Sequence, residues 1–204
     1  MSSGFSGAAA QPGLNILLLG AQGAGKGTQG RLLSSEYGVP HIATGDMLRG
    51  AIAEGTELGR RAEPLLNAGQ LVPDEIMIGV IRERLGGEDT RNGFVLDGFP
   101  RTTVQAEALD ATLEEIERPL SVVFEFQLPE EICVERLQRR AAEEGRVDDT
   151  PEAIRTRLRL YHEQTEPLVE YYRVRGNLIG VRADRPVEEV FAEIQRALEQ
   201  VAVR

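Results

Sequence analysis

Cysteine is nearly absent: Cys133 stands alone in 204 residues, so the chain can form neither an internal disulfide nor a cysteine-based metal site, and nothing in it asks for an oxidising compartment. Long apolar runs are missing too. The longest, 16–19 and 122–124, fall far short of the ~20 residues that cross a bilayer. Positive charge is in deficit, and a net charge of −10 argues against general binding to nucleic acid or to an anionic membrane, either of which needs a basic face. The first thirteen residues, MSSGFSGAAAQPG, lack both the basic start and the apolar stretch of a secretory signal, so 1–13 is expected to be a disordered tail and the protein cytoplasmic. Lysine is scarcest of all: the 23 basic residues are 22 arginines and a single lysine, Lys26. Any phosphate bound by so acidic a chain must be held locally.

What remains has the composition of a globular protein, 41% apolar and 27% charged, and its length suits one α/β domain over 14–204. Residues 14–19, LNILLL, read as a strand buried on both faces of a parallel sheet. A glycine-rich turn at 20–27 follows, then a helix over 28–37 closed by Gly38. Further strands are expected at 39–42, 94–97, 121–127 and 177–182, and helices at 74–85, 103–115, 129–143, 151–173 and 186–202. That alternation implies a mostly parallel sheet covered by helices on both faces. Two segments break the rhythm, a helical insertion at 44–73 and a short charged one at 136–149, and excursions of this kind often become movable lids.

The turn Gly20-Ala21-Gln22-Gly23-Ala24-Gly25-Lys26-Gly27-Thr28 has the GxxxxGK spacing between a strand and a helix. Glycines let successive backbone N–H groups face one anion, the helix N-terminus adds partial positive charge, and the lysine reaches the outer phosphates of a nucleoside triphosphate. An ordinary strand-to-helix turn would not need the only lysine of the chain. Gly25-Lys26-Gly27-Thr28-Gln29-Gly30 also matches the dinucleotide pattern GxGxxG, with Asp46 near the spacing of a ribose contact, but a dinucleotide site has no use for a lysine inside the loop. Gly27 follows the lysine where Ser or Thr is usual, and Thr28 comes one position late.

Four more motifs lie in order: His41-Ile42-Ala43-Thr44-Gly45-Asp46-Met47-Leu48-Arg49, Gln70-Leu71-Val72-Pro73-Asp74, Asp97-Gly98-Phe99-Pro100-Arg101-Thr102, and Gly145-Arg146-Val147-Asp148-Asp149 with Arg157. Together with GKGT they resemble the adenylate kinase family over about 14–200, in its short-lid form. The resemblance implies a P-loop core of five parallel strands, a monophosphate-binding insertion at 44–73, a short lid at 136–149, and reversible phosphoryl transfer from ATP to AMP with Mg2+ by a monomer. Gly23, Ala24, Gly25, Lys26, Gly27 and Thr28 would wrap the ATP phosphates, and Arg136 and Arg140 would close on ATP. Arg146 and Arg157 would touch the transferring group and the AMP phosphate. Arg49 and Arg101 would hold the AMP phosphate, while Thr44, the backbone at Gln70, Leu71 and Val72, the turn Gly98, Phe99, Pro100, Arg101, and Gln105 would line the AMP pocket. Asp97, at a strand end, would order the water around magnesium. Phosphoryl transfer itself asks the protein chiefly for alignment and positive charge, which suits guanidinium forks.

Two positions depart from the family pattern: Gln22 stands where proline is usual, and Arg185 where glycine often contacts adenine through its backbone. Thr44 and Gln105 favour AMP over UMP or CMP, since pyrimidine-specific relatives tend to carry Ala at the first and lack Gln at the second, and a glutamine amide can both donate to and accept from adenine. Arg139, Arg155 and Arg159 read as solvated charges, His41 and His162 as packing or surface residues, and Cys133 as buried on a helix. A P-loop switch that binds one nucleotide and hydrolyses it slowly remains the alternative. It has no need of a second nucleotide site.

Overall fold

Within 14–19 every side chain but that of Asn15 is an aliphatic one, so a strand there has no face to offer to water. In a computed structural model that describes residues 13–201, β1 (Leu14–Leu19) is the central strand of five, and the expected tail lies, except for Gly13, outside the described residues. Around it stand β2 (His41–Ala43), β3 (Gly93–Asp97), β4 (Val122–Gln127) and β5 (Leu178–Arg182), in the order β2-β3-β1-β4-β5 with every neighbouring pair parallel. Asn15 Nδ2 is satisfied at the strand's start by donating to the carbonyls of Arg118 at 3.2 Å and Pro119 at 2.9 Å, while its Oδ1 is buried without a protein partner.

Strand alternation divides the core into two layers. Leu17, Leu19, Phe94, Leu96 and Val123 face one side, where they pack with α4 (Asp74–Leu85), α5 (Thr103–Glu115) and α8 (Pro167–Arg173) through Met77, Ile81, Leu109, Leu113 and Tyr172. Ile16, Leu18, Val95, Phe124 and Val181 face the other, against α1 (Lys26–Tyr37) and α9 (Val187–Val201) through Leu33, Val190 and Ile194. Each of these fully buried aliphatic or aromatic side chains contributes about 1.5–3 kcal/mol of burial. A third, smaller cluster joins α6 (Glu130–Glu144) to α7 (Pro151–Leu160) through Cys133, Leu137, Ile154 and Leu158.

The insertion is a pair of helices, α2 (Thr44–Ala53) and α3 (Glu57–Asn67), with Thr56 accepting the N–H of Gly59 as an N-cap at 3.1 Å. The two can approach closely because Gly59 has no side chain: a Cβ there would lie 2.1 Å from the carbonyl oxygen of Ala51.

Three expected elements change by more than one residue at a boundary or break, and the others differ by at most one residue at either end. The first helix begins at Lys26, two residues early, because Gly25 at φ 92° turns the chain in the left-handed region and frees the next amides to start the helix. The second strand is shifted to 41–43, with Pro40 lending its carbonyl to Val95 N–H at 2.9 Å but having no N–H of its own to pair. The expected helix at 151–173 is broken by a π-turn over Tyr161–Thr165, in which Glu166 N–H reaches back five residues to Tyr161 O at 2.8 Å. Pro167 follows immediately and cannot continue an α-helical ladder. All strands run parallel, so their carboxyl ends share one edge, and the chain winds from β1 through α1 to β2 and β3 on one side of β1 before crossing to β4 and β5 on the other. A crevice at such a switch point is where open α/β sheets bind ligands.

Candidate active site at the switch point

The loop after β1 is folded for an anion. Gly23 at φ 85° takes a conformation that costs a residue with a side chain, and a Cβ there would come within 2.7 Å of the Cys133 carbonyl oxygen. With helix α1 starting at Lys26, the first-turn amides of Lys26, Gly27 and Thr28 point out of the helix end, where the dipole is positive. Lys26 Nζ donates to the carbonyls of Gly20 at 2.6 Å and Ala21 at 2.7 Å. Burial pulls its pKa below the usual lysine value, against the opposing charge of Asp97. An ammonium so placed gains from any anion that enters.

Asp97 ends β3 beside it. Burial alone would raise its pKa, but the His41 imidazole, Lys26 and Arg101 outweigh that and hold it below the ordinary carboxylate range. His41 Nε2 stands 3.7 Å from the carboxylate, too far for a hydrogen bond. The ring packs over Gly30, where a Cβ would come within 2.4 Å of it.

Every residue singled out for phosphate or nucleotide contact lines a single cleft of about 470 Å³: the loop 23–28, Thr44, Arg49, 70–72, 98–101, Gln105, Arg136, Arg140, Arg146, Arg157 and Arg185. The arginines arrive on different elements and fall into two groups. Arg101 and Arg136 pair with no carboxylate among the described residues; Arg101 Nε donates to Gly98 O at 2.8 Å and Arg136 to Ala183 O at 3.1 Å. Burial lowers the pKa of Arg101, and the like charges of Arg157 and Arg49 lower it further while Asp97 opposes. The remaining arginines rest on acids. Arg140 makes a two-pronged contact with Asp149 at 2.8 and 3.0 Å, Arg157 binds both Asp149 and Asp148, the latter at 2.8 Å, and Arg49 spans Asp46 and Asp148. Arg146 is held by Glu144 at 2.7 Å.

Asp148 and Asp149 were given no role by the sequence, although they stand in one of its motifs. Both are buried, and Arg157 with its neighbours keeps the Asp148 pKa low against the pull of burial. Neutral polar side chains line the same cleft. Thr44 is buried and donates to Asp97 O at 3.3 Å, and Thr165 holds the arginine turn by donating to Arg101 O at 2.9 Å. Arg185 lies on Glu193 and the Arg182 carbonyl at the cleft's rim, and Gln22 buries an amide oxygen with no protein partner.

Arg139, Arg155 and Arg159 are exposed and pair with glutamates three or four residues away in the chain, as solvated charges do. Cys133 is buried in α6.

A parallel five-stranded sheet, a phosphate-cradling loop at its switch point, and arginines converging from the opposite wall define a P-loop nucleoside monophosphate kinase. Comparison with known proteins refines this: the model of the family described as Adenylate kinase matches residues 18–177. The chain is 45% identical to the adenylate kinase of Stenotrophomonas maltophilia strain K279a over 91% of this chain and 99% of that protein. It is 42% identical to those of Archaeoglobus fulgidus and Oceanobacillus iheyensis, each over 92% of this chain and 99% or more of the relative. The chain belongs to the adenylate kinase family.

Proposed function

We propose that this protein catalyses the reversible transfer of the terminal phosphoryl group of ATP to AMP, giving two ADP. The supporting observation is that the only lysine, on a helix N-terminus, shares one cleft with arginines from α2, α5's leading turn, α6 and α7, and that this cleft also takes in Thr44, 70–72 and Gln105. A switch protein with one nucleotide has no use for that further set of groups.

In the proposed arrangement the amides of 23–28 and Lys26 hold the ATP phosphates, with Arg136 and Arg140 closing from α6. Arg49 and Arg101 hold the AMP phosphate, and Arg146 and Arg157 meet the moving group between the two. An oxygen of the AMP phosphate bonds to the γ-phosphorus as the bond from that phosphorus to the ADP oxygen breaks. The cations stabilise the charge spread over the transferring group, and alignment accounts for much of the remaining rate. Thr44, the backbone at 70–72, Phe99, Pro100 and Gln105 would receive the AMP base and sugar, and Arg185 would border the adenine of ATP.

Magnesium would enter with ATP and neutralise phosphate charge. Asp97 is one carboxylate in reach, and no group of three or more His, Cys, Asp or Glu among the described residues could cage a metal. That donor set fits an ion that keeps most of its water and leans on phosphate oxygens. The helix pair at 44–73 and the segment at 136–149 would close over the substrates and exclude water, which protects ATP from hydrolysis. One chain supplies the whole cleft, which supports a monomer, and its nucleotide substrates together with a buried free thiol support a cytoplasmic setting.

The test is ADP formation from ATP, Mg2+ and each of AMP, UMP, CMP and GMP. We expect fast ADP production with AMP alone of the four. Equal, slow production with and without AMP would overturn the kinase reading and favour the switch.

A further inference from the structure

Gln105 is 2% exposed, and its side-chain amide is held on two sides by groups of opposite kind. Its oxygen accepts the backbone N–H of Arg101 at 2.8 Å, and its nitrogen donates to Asp74 Oδ1 at 2.7 Å. A backbone N–H can only donate and an ionised carboxylate can only accept, so the orientation of this amide is set by chemistry. Asp74 is itself held, because its other oxygen accepts the Thr102 hydroxyl at 3.1 Å, and that hydroxyl also accepts the N–H of Gln105 at 3.2 Å. The carboxylate belongs to the first turn of α4 and is set back from the cleft that Gln105 lines.

An amide has two N–H groups and two lone pairs. Asp74 and Arg101 use one of each, which leaves one donor and one acceptor in a fixed order for a ligand. Adenine offers the complement, an N6–H donor beside the N1 acceptor. A 6-oxopurine offers the reverse, an O6 acceptor beside an N1–H donor. Turning the amide over to read the reversed pattern would set its N–H against the Arg101 N–H and its oxygen against the Asp74 carboxylate.

We propose that Asp74 is a specificity-determining positioning residue: by locking the Gln105 amide it makes the acceptor site select 6-aminopurine over 6-oxopurine monophosphates. The proposal rests on the reading that Gln105 faces the acceptor base, and the test separates the two. AMP and IMP compete as phosphoryl acceptors with wild type, Asp74→Ala, Asp74→Asn, Gln105→Ala and Glu75→Ala, and the ratio of their kcat/KM values is read directly. Glu75 is the exposed neighbouring acid in the same helical turn, so its removal matches the lost charge at the helix N-terminus without touching the amide.

The lock is part of a two-point base contact, for which discrimination of about 5–150-fold is usual. Asp74→Ala is expected to lower the AMP-to-IMP ratio by about tenfold, by raising the KM for AMP and easing that for IMP while the KM for ATP stays put. Asp74→Asn, which can accept from or donate to the amide, should give an intermediate ratio, and Glu75→Ala the wild-type one. Thermal melts on the same samples report folding, and the Asn variant keeps the experiment readable if Ala loosens α4. An unchanged ratio in both Asp74 variants, with selectivity lost in Gln105→Ala, would overturn the lock and leave the base contact standing. Selectivity retained in Gln105→Ala would overturn the base contact and the lock with it.

Discussion

Lys26 lies back on the carbonyls of Gly20 and Ala21, in a pocket that makes its charge costly to keep. Phosphate oxygens are better partners than peptide carbonyls for a desolvated ammonium, and better still as charge moves along the γ-phosphate. Lys26→Met keeps the length of the side chain and removes the charge. Turnover should fall by about 10²–10³ or more with the melting temperature little changed, as measured by coupled assay and circular dichroism. A variant that unfolds would show a structural role instead.

The buried acids Asp148 and Asp149 make a second prediction. Asp149→Ala would strip Arg140 of its two-pronged partner and leave Arg157 with Asp148 as its one remaining carboxylate among the described residues. Breaking one side of a buried ion pair costs about 3–5 kcal/mol. Denaturant titration of the free protein should show a loss of about 3 kcal/mol, which shrinks when a bisubstrate mimic supplies anions in the carboxylate's place. An equal loss in both states would mean that these arginines stay on their acids when nucleotides bind. The placement of Lys26 in the cleft was legible in the sequence because it follows from local spacing. The arginine–aspartate pairs were not, since Arg49 and Asp148 meet only through the tertiary fold, and nothing local distinguishes a paired carboxylate from a solvated one.

At the scale of elements, hydrophobic periodicity located α4 and α5 to the residue, because both have apolar faces packed on the sheet. It missed the π-turn between α7 and α8, since one added residue leaves the apolar pattern on either side intact. That turn carries His162, which sits between Glu130 of α6 at 2.6 Å and Glu166 at 3.0 Å. These two carboxylates raise its pKa. A raised folded value means that the pairing stabilises fully below the unfolded histidine pKa of about 6.5 and is lost as pH climbs through the folded value. The side chains are half exposed, so solvent discounts the effect. His162→Ala should lower the melting temperature by about 2 °C at pH 5.5 and leave it unchanged at pH 8.5. The same deficit at both pH values would point to packing instead of charge.

Across the whole molecule, a chain of net charge −10 gathers a few cations into one cleft and holds several of them on its own acids. The gathered groups are not independent. Arg140 and Arg157 share Asp149, Arg157 and Arg49 share Asp148, and Arg157 also donates to Leu66 O at the end of α3, 3.3 Å away. One chain of contacts thus runs from α6, on the ATP side of the proposed arrangement, to α2 and α3, on the AMP side. An anion that draws Arg140 off Asp149 changes what Arg157 meets, and through Asp148 what Arg49 meets. Binding at one end is expected to alter affinity at the other, and linkage requires any such effect to be reciprocal. Titration calorimetry with an ATP analogue whose γ-group cannot transfer should show AMP tightening the analogue about 5–150-fold, and the analogue tightening AMP by the same factor. Asp148→Ala should reduce both factors together, because it removes the carboxylate common to the two sides. Affinities that do not respond to each other in the wild-type protein would show two separate sites that merely share a cleft.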